Sequence, residues 1–179
     1  MMMQIAPQAR AADSQTITFN ITVPAVTCTV TPVDLPSVDV TGGNLIGTNW
    51  KAEQVRDMTV TLSACSGGGG AGKAPKLTIA PATGTTVSNT WLFRDSTSGS
   101  KGFGIVFYNV PSNQVTQGST TQMVADGGAI WTGQTGVIPA NPTIRTAVGV
   151  TCGATANCAA ASLGTGTLKA TVYLNLVYS

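Results

Sequence analysis

A chain of 179 residues with 42% hydrophobic and only 9% charged residues has one domain's length and enough apolar content to bury a core without a cofactor. A net charge of +2 excludes the basic stripe of a nucleic-acid binder. Histidine is absent, which removes Ser–His and Cys–His catalytic pairs and the commonest metal ligand.

The first segment, residues 1–14, alternates. Met1, Met3, Ile5, Pro7, Ala9 and Ala11 share a parity and are all apolar, while the other parity holds Gln4, Gln8 and Arg10. Ala9-Arg10-Ala11 has the small-x-small form of a signal-peptidase site, yet no continuous apolar stretch precedes it. Of the two readings, signal remnant or mature chain, the second is expected. A lone strand has no partners for its backbone N–H and C=O groups, and no turn joins this arm to a hairpin mate. It is therefore read as an arm that pairs with another molecule.

Asp13-Ser14 breaks the pattern, and residues 15–179 then read as a single all-β domain. Gln15–Val23 alternates with Ile17, Phe19, Ile21 and Val23 on one face, and Val26–Val30 resumes after Pro24. Met58–Cys65 and Lys76–Ile79 follow. Phe103–Tyr108 is apolar throughout, as a central strand buried on both faces would be. Thr143–Cys152 and Thr167–Tyr178 complete the set. Gly- and Ser-rich connectors at 66–72 and 95–102 and a Pro-bounded break at 139–142 separate them. Many short strands between turns predict a β-sandwich or barrel. No apolar run approaches the ~20 residues of a membrane-spanning helix.

The C-terminal segment is the most regular. From Gly166 onward, Leu168, Ala170, Val172, Leu174, Leu176 and Tyr178 occupy every even position. The odd positions are mostly polar. Chain ends normally fray; this pattern predicts one continuous strand from Thr167 to Tyr178, held along a buried face.

Cys28, Cys65, Cys152 and Cys158 contain no Cys-x-x-Cys and have no histidine beside them, so they read as two disulfides rather than a metal site. That places the protein in an oxidising compartment. Of three connectivities, the sequential pairing is favoured. Trp50, Trp91 and Trp131 could form a sugar platform, but packing is the commoner use of such rings. Glu53, Asp57, Asp95 and Asp126 lack the paired spacing of an acid–base site. Gly67–Gly70 lacks the Lys-Ser/Thr of a phosphate loop. No catalytic residue, cofactor site or metal site is expected.

Four features together resemble the subunits of bacterial chaperone–usher pili of the type 1 and P-pilus kind. They are Thr16–Asn20 leading to Cys28, Cys65 at the end of Val60–Cys65, Gly166 at the fourteenth position from the end, and the penultimate Tyr178. The resemblance spans about residues 15–179. It implies an immunoglobulin-like sandwich lacking its last strand, completed by a donor strand from a neighbouring subunit. Residues 1–14 would be the donor extension, and Gly166, Leu168, Ala170, Val172, Leu174, Leu176 and Tyr178 the groove strand. A periplasmic chaperone and an outer-membrane usher would be assembly partners, and a surface pilus the destination. The alternative within the same family is a tip adhesin, which usually adds a receptor-binding domain for which this chain has no room. The Cys152–Cys158 pair departs from the common rod subunits.

Overall fold

In a β-strand, successive side chains point to opposite faces, so alternation in sequence becomes one dry and one wet face. The computed structural model describes residues 27–31, 35, 38–67 and 72–179. The arm at 1–14 and the Gln15–Val23 segment lie outside the described residues. Eleven strands are present among those described: β1 (Thr27–Thr31), β2 (Val38–Val40), β3 (Glu53–Ser66), β4 (Pro75–Pro81), β5 (Thr85–Ser88), β6 (Leu92–Asp95), β7 (Gly104–Tyr108), β8 (Ala129–Thr132), β9 (Thr143–Thr151), β10 (Gly166–Leu168) and β11 (Val172–Tyr178). The protein is all-β, with antiparallel sheets packed as a β-sandwich packs.

One sheet has six strands in the order β1-β3-β9-β7-β6-β5, a second has three in the order β11-β4-β8, and β10 pairs with β2. The main core lies between the two larger sheets. Met58, Val60 and Leu62 of β3, Phe93 of β6, Phe107 of β7, and Ile144 and Val148 of β9 meet Leu77 and Ile79 of β4 and Ile130 of β8. Phe93 and Phe107 pack edge to face, with ring centroids 5.1 Å apart.

Strand β7 is buried on both sides. Phe107 faces the main core, while Val106 and Tyr108 face a second cluster with Ala52, Leu92, Met123 and Ala147. Burial pushes the Tyr108 hydroxyl up to about 12. Gly104 opens this strand for a steric reason: a Cβ there would come within 2.7 Å of Leu92 Cβ. A buried hydroxyl on β9 finds a backbone partner. Thr146 is fully buried on the core parity of β9, and its hydroxyl donates to the Tyr108 carbonyl.

The C-terminal segment is not one strand. Gly166–Leu168 pairs with β2, Val172–Tyr178 pairs with β4, and residues 169–171 belong to neither ladder. The reason lies in their backbone partners. The Lys169 amide donates to Ser98 Oγ, and its carbonyl accepts from the Asp95 amide. The Thr171 amide donates to Thr85 Oγ1, and its carbonyl accepts from the Ala82 amide. The segments around the β5–β6 hairpin thus hold these groups, and the chain crosses there from the small sheet to the three-stranded one.

Cys28 is bonded to Cys65 and Cys152 to Cys158. In the chain-entropy relation, closing the longer loop stabilises by about 4 kcal/mol and the shorter by about 2.4 kcal/mol. Replacing Cys28 and Cys65 together by Ser should therefore cost more in urea denaturation than replacing Cys152 and Cys158. The reverse order would show that local packing around the short loop outweighs chain entropy. Asp57 allows a second check. Its carboxylate accepts the Ser112 amide at 2.7 Å and the Arg145 guanidinium, and these hold its pKa down to about 2. Because the folded carboxyl titrates below the unfolded one, its contribution is present above about pH 4 and is lost as the pH falls toward 2. Asp57→Asn should flatten the acid-side fall in stability across that window, measured as Tm against pH.

Candidate functional site

Among the described residues, β11 is the edge of the three-stranded sheet, paired only through β4. Its register puts Leu174 opposite Ile79 and Leu176 opposite Leu77, so the apolar parities of both strands share the core side. The consequence is a gradient. Leu77 and Ile79, in the sheet interior, are fully buried; Val172, Leu174 and Leu176, one strand further out, pack on the same core but are only half-buried. On the opposite face Tyr173 is 56% exposed and Val177 39%.

The facing edge belongs to the other sheet. β1 pairs with β3 on one side and lies beside β11 on the other without joining its ladder. Cys28 and Val30 turn toward the core, and Thr27, Thr29 and Thr31 face out. A register shift between Thr27 and Thr29 sets Ser63 to Ser66 against them, with Ala64 in the left-handed region at φ 49°. The disulfide crosses at this bulge and ties β1 to β3. The two sheet edges thus lie side by side over the main core, where Val30 of one and Leu174 and Leu176 of the other form a strip of half-buried side chains. Along it, the outward backbone N–H and C=O groups of β11 have no ladder partner among the described residues. Such a strip accepts an extended chain: its amides supply hydrogen bonds and its half-buried side chains supply pockets for alternate residues. Tyr178 sits at its end. The phenol oxygen is buried without a hydrogen-bond partner among the described residues, and burial raises its pKa.

The sequence-derived groove residues divide. Val172, Leu174, Leu176 and Tyr178 stand together on β11, and Ala170 packs on the same core from the crossing segment. Leu168 does not join them: it is fully buried in a separate cluster with Val40, Leu45, Phe103, Val150, Cys152 and Cys158. Gly166 is also remote from the strip. It has φ 142°, and a Cβ there would lie 2.8 Å from the backbone of Gly99 and Ser100, so only glycine fits where β10 runs against that turn. The donor residues Met1, Met3, Ile5, Pro7, Ala9 and Ala11 lie outside the described residues. Val30 was not singled out as a wall residue, although the alternation of Val26, Cys28 and Val30 is its sequence signal.

Neither protein-family models nor characterised proteins gave a match to this chain. The fold defines a class in physical terms: a disulfide-linked all-β domain whose half-buried strand β11 is a sheet edge among the described residues.

Side-chain parity on β11 gives a test. Leu174→Asp should lower stability in urea by about 2 kcal/mol or more, since it puts a charge on the core face. Asn175→Asp, on the exposed face, should stay within about 0.5 kcal/mol. Equal losses would mean that the two faces are assigned wrongly.

Proposed function

We propose that this chain is a structural subunit of a bacterial surface pilus, polymerising by donor-strand exchange for adhesion to surfaces or host cells. The half-buried edge of β11 beside β1, without a ladder partner among the described residues, is the observation that carries this reading. In it, the domain of residues 15–179 is an immunoglobulin-like sandwich short of one strand, and an extended segment from another molecule fills the strip. The occupant in the fibre is the 1–14 extension of a neighbouring copy or another pilus subunit. During export through the periplasm it is a chaperone strand, released at an outer-membrane usher. The protein is not an enzyme, needs no cofactor and engages no nucleic acid.

The physics of the strip supports a protected assembly route. An exposed apolar edge pairs with any available strand, which is aggregation unless a chaperone occupies it. Main-chain hydrogen bonds give affinity whatever the sequence, and pockets at alternate residues set the register. The parity of the extension suits this: Met1, Met3 and Ile5 are large, Ala9 and Ala11 small, and all lie on one side of an extended strand. The disulfides suit export into an oxidising compartment.

The extension provides the decisive contrast. Ile5→Arg puts a charge on the apolar parity, whereas Gln4→Arg puts the same charge on the other. Fibre yield by electron microscopy should fall severely for Ile5→Arg and little for Gln4→Arg, and deletion of residues 1–12 should give chaperone-bound subunits without fibres. Equal yields from the two arginine variants, or full fibres from the deletion, would overturn the donor role of the extension.

A further inference from the structure

The two disulfides differ in what surrounds them. Cys152 and Cys158 are 1% and 0% exposed, packed in a cluster with Val40, Leu45, Phe103, Val150 and Leu168. Cys152 also lines a cleft of about 270 Å³, yet the residue stays covered. Cys28 and Cys65 are only partly buried, at the margin of the main core. Their neighbours in sequence, Thr27, Thr29, Ala64 and Ser66, are all exposed. A disulfide opens when an external thiolate reaches one of its sulfurs, so access decides which bond opens first.

The accessible bond also sits where the ladder is interrupted. Thr27 is registered with Ser66 and Thr29 with Ser63, so Ala64 and Cys65 of β3 stand opposite the single residue Cys28 of β1. The sulfur bridge spans that interruption. Without it, β1 keeps only the Thr27–Ser66 pair and residues 29–31 against 61–63, whereas the next ladder inward, β3 with β9, has seven registered pairs.

Strand β1 contributes little of the interior. The buried residues of the main core come from β3, β4, β6, β7, β8 and β9 and from Val124, and β1 adds only the partly buried Cys28 and Val30. Releasing β1 makes β3 the sheet edge and leaves the contacts among those buried residues in place.

We propose that the Cys28–Cys65 disulfide is a redox-sensitive latch on β1: an external dithiol opens it while Cys152–Cys158 stays closed, and opening frees β1 from β3 with the rest of the domain still folded. In the opening step a thiolate of the dithiol bonds to one of the two sulfurs and the Cys28–Cys65 bond breaks. The released cysteine leaves as a thiolate and takes a proton. The second thiol of the dithiol then attacks the mixed disulfide and frees the other cysteine. The cysteines together gain two electrons and two protons, and the dithiol is oxidised to its own disulfide. The latch concerns how β1 is held and not what binds beside it, so it does not depend on the pilus reading.

The test treats the full chain with dithiothreitol in native buffer, alkylates free thiols with N-ethylmaleimide at intervals and maps the labelled peptides by mass spectrometry. Cys28 and Cys65 should be labelled about tenfold faster or more than Cys152 and Cys158. Once only the first pair is open, hydrogen exchange at the amides of β1 should accelerate about tenfold or more, while that of β7 and β9 changes by less than about twofold. The double variant Cys28→Ser, Cys65→Ser should show the same exchange pattern without any reductant. Equal or reversed labelling of the two pairs would overturn the latch. So would β1 amides that stay protected after opening, or protection lost throughout the domain at once.

Discussion

Every backbone N–H and C=O taken from water must find a partner, and an antiparallel sheet always leaves two edges where that accounting is incomplete. In this protein the constraint bears hardest on β11. The strand is apolar enough on one face to need the core, yet among the described residues it has a ladder neighbour on one side only. The six-stranded sheet approaches the same gap with β1, a five-residue strand of threonines alternating with Cys28 and Val30. The two strands are neighbours there without sharing a ladder. Burial falls toward this seam from complete at Leu77 and Ile79 to partial at Leu174 and Leu176.

Charge contributes little to this architecture, as a chain with 9% charged residues requires. Where ionised groups do appear they fix loops. Asp57 anchors the start of the Ser112–Gln114 turn and meets Arg145 from the neighbouring strand. Arg94 gathers the carbonyls of the 98–103 turn. Both are partly exposed, so their value is positional more than energetic. Specificity of fold rests instead on hydroxyls and backbone groups, such as Thr85 Oγ1 and Ser98 Oγ at the crossing between β10 and β11.

How much of this was legible in the sequence depended on strand length. β3, β4, β7, β9 and β11 are long or apolar enough to show a period or a continuous run; β4, β7 and β9 match their expected bounds within two residues, whereas β3 starts five residues earlier and β11 five residues later than the alternation suggested. β2, β5, β6 and β8 have three or four residues, too few for any period to register. The break at Lys169–Thr171 was invisible for a different reason. Ala170 keeps the apolar parity across it, so the alternation runs on while the backbone changes partners. Those partners, Thr85 and Ser98, are distant in sequence, and nothing local announces them. The wall residues Leu174 and Leu176 were readable from parity alone. The displacement of Leu168 into its own cluster, and the meeting of Trp50 with Trp91, came only from the fold.

The position of the first disulfide has a mechanical meaning. Cys28 lies one residue inside β1, and its partner Cys65 lies near the far end of β3. A pull on the chain before β1 reaches Cys28 and passes through the sulfur bridge to Cys65. The 36 residues between them are bypassed and cannot be drawn out into slack. The bridge therefore caps how far the domain can lengthen under load, whatever holds its neighbours.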